Sequence, residues 1–467
     1  MSIELMTKQL RKLLFILGVI TVFYSCETTP GNNNTYFGGK IINPKTDHVI
    51  LFDDETVIDT FYLDQNDKFI GEIPELKESL YYFRHGDEHQ YIYLEPKDSL
   101  LIRLNTWDFD ESLVFSGKGA ERNNLLIDCF LEAEKQDRLF YKYYNLKPSD
   151  FRNKVDSIEQ IKLTRYDEFD SKNPKESDRY KDILKIALTY PLYTKVENYS
   201  MAHTSKKNHE KHVEVNRDFY KHRDHIVLDK DSIMYFYAYR TFVISHLYNK
   251  VNTAGHDISS NAFTVGLLKT IANEMKSELS RNSMLRQTVI AHFFRKSSCD
   301  VNREAFTTYL NLTTSKEDKH LVKRLLNDSE KIHKGTKLED FVVTDYNKTG
   351  RSIKSIVKGK KAVIFFWNPE YVVKDDIAST VTYLSKKYPK VKFVGVKIDG
   401  DNHPNSRIKK LDIKSQYYLN PDSKANDFLT SKMPRTILIN KKGVVVNGYA
   451  SLSSRKVYNQ IKQLAKK

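Results

Sequence analysis

The hydrophobic period of this chain changes twice, and each change marks a different kind of fold. From Tyr36 to about Phe115, short stretches such as HVILFDD, DKFIGEI, SLYYFRHG and SLLIRLN are rich in β-branched and aromatic residues and are separated by QND, HGD and EPKD. Extended runs punctuated by turn chemistry predict strands, and their spacing predicts an antiparallel β-sandwich over residues 36–116. Near GKGAERNN the period lengthens to that of a helix. Leu268, Ile271 and Met275, then Leu285, Val289 and Phe293, recur at helical spacing, so residues 117–334 are read as a helical domain. From Gly335 the pattern mixes both periods. KAVIFFW, VKFVGVKID, PRTILIN and GVVVNGYA read as strands, FVVTDYNKTGRSI as a short hairpin, and DDIASTVTYLSKKYP and SSRKVYNQIKQLAK as helices, with Ile377, Val381, Leu384 and Tyr388 on one face. Continuously apolar strands among helices indicate a sheet covered on both faces over residues 335–467. The fold class is therefore multidomain, α+β and α/β.

The first residues follow another logic. Lys8, Arg11 and Lys12 precede an apolar run from Leu13 to Tyr24, and Ser25-Cys26 comes next. That is the order of a secretory signal, with an apolar run too short for a comfortable membrane span. A Cys directly after a small residue resembles the bacterial lipoprotein signal, in which the thiol is acylated and becomes the new N-terminus. Residues 1–25 are thus expected to be a lipoprotein signal and Cys26 the lipid anchor, with plain cleavage or a retained anchor as alternatives. Residues 26–35 form a polar tether. The expected location is the bacterial cell envelope, facing the periplasm, with the membrane as a partner through Cys26.

The formal charge is +15, and about +13 once Glu4, Lys8, Arg11 and Lys12 are removed. A strongly basic chain suggests nucleic acid. Here the lysines are interleaved with acidic residues, as in KKNHEKHVEVNRDFYKHRDH, and no nucleic-acid partner is expected. Two histidine pairs, His209 with His212 and His222 with His225, lack the spacing of the HExxH zinc helix and read as solvated, so no metal is expected. Walker loops, GxGxxG turns and GxSxG elbows are absent from the sequence, and no cofactor is expected. The Tyr-rich YKYYN, Tyr141 to Asn145, reads as a helix face packed on a neighbour.

Three cysteines occur, Cys26, Cys129 and Cys299. Cys129, in NNLLIDCFLEAEK, reads as a buried small hydrophobe, and Cys299 as a helix-end residue. Whether they pair is left open by the sequence.

The segment FFWNPEYVVKDD, Phe365 to Asp376, raises the sharpest question, because a buried strand ends in Trp and the chain turns at once into a helix. With the leading GTKLEDFVV, the later MPRTILI and the GVVVNG hairpin, residues 335–467 resemble the thioredoxin-like superfamily, specifically its TlpA-like branch of membrane-anchored thiol-disulfide oxidoreductases. In redox members of that family a Cys-x-x-Cys opens the first helix, where the helix dipole stabilises a thiolate, and the second Cys resolves the mixed disulfide. Placing Phe366-Trp367 on the family's Phe-Trp puts the two Cys positions at Tyr371 and Lys374. A phenol with a pKa near 10 offers no disulfide chemistry, and Lys374 puts a cation at the positive end of the dipole. No Cys follows Cys299, so no catalytic residue is expected at this corner.

The resemblance implies that the supporting frame persists. Asn368 suits a helix cap, Pro369 the first helical position and Glu370 the opening turn. Met433-Pro434 stands where the family carries a cis-proline facing the corner. One reading is a peptide groove, with an extended chain pairing at Met433-Pro434 and contacting Trp367 and Tyr371. The other is a folded spacer in which Trp367 is simply core. The expected function is that of a lipid-anchored binding or scaffolding protein with a protein or peptide partner; the alternative is a thiol-disulfide oxidoreductase acting through Cys129 or Cys299.

Overall fold

The computed structural model describes residues 34–206, 213, 215–296, 303–368, 374–398, 415–452 and 454–466. The signal, Cys26, His209, His212, Cys299, Pro369, Glu370 and Tyr371 lie outside them. The chain has mixed α and β content and divides into two compact units, one holding described residues of 34–206, 215–222 and 232–242, the other those of 213, 223–231 and 243–466.

The first unit begins with β1 (Thr35–Ile42), β2 (His48–Asp53), β3 (Thr56–Tyr62), β4 (Lys68–Ile73), β5 (Ser79–His85), β6 (Glu88–Leu94), β7 (Ser99–Asn105) and β8 (Val114–Lys118). They form two four-stranded sheets, ordered β4-β1-β7-β8 and β3-β2-β5-β6. Phe37, Ile41, Leu100 and Ile102 from one sheet meet Val49, Leu51, Phe83 and Ile92 from the other in a shared core. The sandwich departs from the antiparallel expectation at one pair, because β1 and β7 run parallel from Tyr36 opposite Ser99 to Ile42 opposite Asn105. Five strands intervene between these partners, which gives the long crossover that parallel pairing requires. Gly39 permits the close approach, since a Cβ there would sit 2.1 Å from the Ile102 carbonyl oxygen.

Helices α1 (Ala120–Tyr143), α2 (Pro148–Lys172), α3 (Asp178–Lys206) and the start of α4 (Tyr237–Thr253) complete this unit. α1 follows Gly119, whose φ of 92° is readily adopted only without a Cβ. Two consecutive amides then splice it to the sheets. Asn123 exchanges hydrogen bonds with the Tyr93 backbone on β6 at 2.6 and 2.9 Å, and Asn124 with Phe115 on β8 at 3.0 Å in both directions.

His222 is buried, its Nε2 lying 3.0 Å from Glu197 Oε1 and its ring stacked on Tyr193 with centroids 4.8 Å apart. A carboxylate partner and an aromatic face supply what burial of an imidazole requires. His225, by contrast, is exposed. Of YKYYN, Tyr144 packs as expected, its ring stacked on Phe151 of α2 with centroids 5.9 Å apart, and Tyr143 meets Phe140 at 5.4 Å, whereas Tyr141 is 69% exposed.

The helical stretch read over 117–334 is divided between the two units. In the second unit the remainder of α4 is followed by α5 (Asn261–Glu274), α6 (Glu278–Lys296), α7 (Arg303–Leu312) and α8 (Lys316–Glu330). Leu268, Ile271, Met275, Leu285, Val289 and Phe293 are all buried, as their spacing predicts.

The same unit continues with β9 (Val342–Thr344), β10 (Gly350–Ser352), α9 (Ile353–Val357), β11 (Lys361–Trp367), α10 (Lys374–Lys387), β12 (Val391–Lys397), β13 (Gln416–Tyr418), β14 (Arg435–Ile439), β15 (Val445–Ala450) and α11 (Arg455–Lys466). Its seven-stranded sheet has the order β10-β9-β13-β12-β11-β14-β15. β11 pairs parallel with β12 and antiparallel with β14, and β14 pairs antiparallel with β15. A βαβ unit joined to a ββα unit in this order is the thioredoxin-like core. Every residue of KAVIFFW is buried because the two faces divide it: Val363, Phe365 and Trp367 pack with α10 and α11, while Ala362, Ile364 and Phe366 pack toward α9, Phe341 and Phe428.

Candidate functional site

Two of the residues that the sequence places at the corner belong to the core. Trp367 is 4% exposed and belongs to the cluster formed with Ala378, Val381 and Leu384 of α10. Met433 is also 4% exposed, and its N–H meets Ser431 Oγ at 3.4 Å. Pro434 is half-buried, and its peptide bond is trans; no cis bond occurs among the described residues. Of the four groove residues, two are therefore core, one is partly covered, and Tyr371 lies outside the described residues. Burying a large apolar side chain is worth roughly 2–3 kcal/mol, so offering both Trp367 and Met433 to a peptide would cost several.

Residues 369–373, where the expected helix start falls, lie outside the described residues, and Asn368 is wholly buried. Its side-chain amide donates to the Lys432 carbonyl at 3.4 Å, so it ties the corner to the facing loop. Lys432 turns that loop with a φ of 55° and donates its N–H to the Leu429 carbonyl at 2.9 Å.

What fixes the loop is a carboxylate in the preceding helix. Asp328 of α8 is 1% exposed, and its side chain accepts four hydrogen bonds: Thr430 N–H at 3.0 Å, Thr430 Oγ1 at 2.6 Å, Ser431 N–H at 2.8 Å and Ser431 Oγ at 2.6 Å. Two residues past Met433, Arg435 is equally buried. Its guanidinium donates to the carbonyls of Gly448 (2.8 Å), Asp328 (2.9 Å) and Phe428 (2.7 Å), and it lies over the rings of Tyr449 and Phe428 at 4.5 and 5.0 Å. Burial pushes the Tyr449 phenol up, so it stays a neutral wall. This set of contacts binds, orients and rigidifies, and none of its atoms is a nucleophile poised for group transfer.

The sequence left Asp328 and Arg435 without a role. Arg435 carries the one available signal, a guanidinium inside an otherwise apolar strand, PRTILIN. Asp328 sits in a charged helix and carries none.

The other chemistry-bearing position within the described residues is Cys129, on α1. It is a free thiol, 1% exposed, and burial pushes its pKa to about 12. A thiol held protonated in this way is a poor nucleophile, in keeping with its reading as a small hydrophobe.

No family model and no curated protein matches this chain. Solved structures do. A crystal structure of a proposed thiol-disulfide oxidoreductase from Bacteroides vulgatus is 25% identical, over 29% of this chain and 99% of the other, with a TM-score of 0.25. The thioredoxin domain of a thiol-disulfide oxidoreductase from the same organism is 20% identical over 29% and 99%, at 0.24. A secreted Mycobacterium tuberculosis disulfide oxidoreductase is 19% identical over 26% and 95%, at 0.21. The thioredoxin-like character of the region rests on its strand order and helix placement.

Proposed function

We propose that this protein is a redox-silent scaffold of the bacterial cell envelope, tethered through an acylated Cys26, in which the thioredoxin-like region holds structure instead of exchanging disulfides. The observation that supports this reading is that no Cys follows Cys299 and that the described thiol, Cys129, is buried and held protonated; the resemblance puts the family's two sulfur positions on Tyr371 and Lys374. Thiol-disulfide exchange needs an exposed thiolate. The burial of Trp367 and Met433 favours a scaffold over a peptide groove at the corner.

The decisive experiment is insulin reduction by the purified full-length protein with dithiothreitol as electron donor. The expected rate is that of dithiothreitol alone, for wild type and for Cys129→Ala and Cys299→Ala. Turnover lost in either variant would establish the second reading, an oxidoreductase acting through that thiol. Anchoring is tested separately by fatty-acid labelling in cells, expected in wild type and lost in Cys26→Ala. The proposed protein or peptide partner is sought by cross-linking in envelopes with Tyr371→Ala and Lys374→Glu. A scaffold that binds elsewhere keeps the same partners in both variants, whereas a partner lost in either would restore the groove.

A further inference from the structure

The first unit contains a cavity of about 440 Å³ walled by β6, α1, α3 and the start of α4. Its volume is that of a small-molecule site. Phe109, Phe130, Phe236, Tyr91 and Tyr237 contribute aromatic surface, and Leu126, Cys129 and Pro191 add apolar wall. Pro191 lies inside α3, where it removes one backbone donor from the helix beside the cavity.

The charges around this apolar space do not balance. Five carboxylates line it, on Asp87, Glu88, Asp110, Glu134 and Asp137, against one lysine, Lys195. Lys195 is already engaged, because its ammonium contacts Asp137. Glu88 has its own partner in Lys45 at 3.1 Å. Asp110 receives its hydrogen bond from a neutral group, the Gln90 amide, at 2.8 Å. Burial raises the Asp110 pKa, Gln90 partly offsets this, and the nearby Glu134, Glu111 and Glu88 raise it further. His89, also in the wall, is kept toward its neutral form by desolvation and adds little positive charge. The site thus gathers aromatic surface and negative charge without the cation that would complement both. An organic ammonium supplies it, since cations are attracted to ring faces as well as to carboxylates.

We propose that this cavity binds a small organic cation, an ammonium carried on an apolar or aromatic body, with the charge directed to Asp110 and Glu134. The body fills the space beside Leu126 and Cys129, and the ammonium replaces solvent as the partner of the two carboxylates. This site is independent of the redox-silent reading and does not use the thioredoxin-like corner.

The test is calorimetric titration of the full-length protein in a neutral detergent with 2-phenylethylamine and benzyltrimethylammonium, beside the neutral 2-phenylethanol and the anionic 3-phenylpropionate. Saturable one-site binding of the cations is expected, about tenfold or more tighter than that of the alcohol, with the anion weakest. Asp110→Asn should remove most of that preference, and the exposed Glu134→Gln, which cannot disturb the core, should weaken it severalfold. Leu126→Trp, which fills the space, should abolish binding of every probe. Equal binding of cation and alcohol, tighter binding of 3-phenylpropionate, no saturable binding of either cation, or cation binding unchanged in both carboxylate variants would each overturn the proposal.

Discussion

Asp328 is a buried carboxylate and Asp110 a half-buried one, and the difference between their surroundings separates a structural joint from a binding wall. Asp328 accepts four hydrogen bonds from two adjacent residues, two of them from backbone N–H groups. Asp110 is held by one neutral amide and crowded by like charges at the edge of an open space. A buried charge fully met by donors fixes a local conformation, whereas one left short of positive charge favours whatever ligand brings it. The fold has thus placed its rigidity where the family resemblance would look for activity, and its unmet charge in the unit that the resemblance does not cover.

The largest effect expected is at the joint. Asp328→Ala leaves two N–H groups, that of Ser431 buried, and two hydroxyls without their acceptor, and removing one side of such a set typically costs about 3–5 kcal/mol. Urea unfolding should report that loss, with Asp328→Asn intermediate because it keeps one acceptor oxygen. A loss below about 1 kcal/mol would mean that the Thr430–Ser431 turn holds itself, and Asp328 would then belong in the same class as Asp110.

Gly448→Ala tests the same joint from the other strand. A Cβ there would lie 2.0 Å from the Ile332 carbonyl oxygen, just beyond the end of α8, and Gly448 also supplies the carbonyl that Arg435 holds. Backbone cannot yield as a flexible side chain does, so a loss of about 2–3 kcal/mol is expected in the same assay. An unaffected midpoint would show that α8 is free to shift and that the loop is less firmly held than its hydrogen bonds suggest.

These two residues also mark the limit of what the sequence discloses. Strands were legible because burial imposes a period of its own: every position of KAVIFFW is buried, and the turn residues around it fall between elements. The helix face Ile377, Val381, Leu384 and Tyr388 packs as its spacing predicts. Cys129 was legible for the same reason, as a small apolar side chain on the buried face of α1. The Asp328 joint was not, because its donors lie about a hundred positions away and no local pattern records a contact of that range. Asn368 likewise has a partner that no local pattern records, its buried amide donating across the corner to the Lys432 carbonyl. His222 looked solvated because its neighbours in sequence are charged, while Glu197 and Tyr193, which bury it, come from α3. The cavity escaped notice because four separate elements build it, and each contributes residues that read singly as core or as surface.

Cys129 probes the boundary between the two regimes, since it lines the cavity and is nevertheless almost wholly covered. Cys129→Ser puts a hydroxyl into an apolar wall at a cost of about 1–2 kcal/mol, read by thermal unfolding. With the pKa raised to about 12, alkylation of the native thiol by iodoacetamide at neutral pH should also run at least about a hundredfold slower than in urea. Comparable rates would show that the thiol reaches solvent through the cavity, and would weaken the redox-silent reading at the same stroke.

The smallest effect is the most specific to the comparison. Because the folded state raises the Asp110 pKa, it binds the proton more tightly than the unfolded chain does. The contribution of this group to stability therefore falls as pH rises from the ordinary value of 3.8 through the raised one, and is level above it. Asp110→Asn removes that slope, so the variant should be at least as stable as wild type at neutral pH and should lose this advantage below the window. Denaturation series at several pH values resolve the difference. Adding 2-phenylethylamine should then stabilise the wild type at neutral pH and leave Asp110→Asn nearly unchanged, because the ligand supplies the positive charge only where a carboxylate is waiting for it. If the variant is instead less stable at neutral pH, the Asp110 carboxylate is already well satisfied, and the contrast with Asp328 disappears.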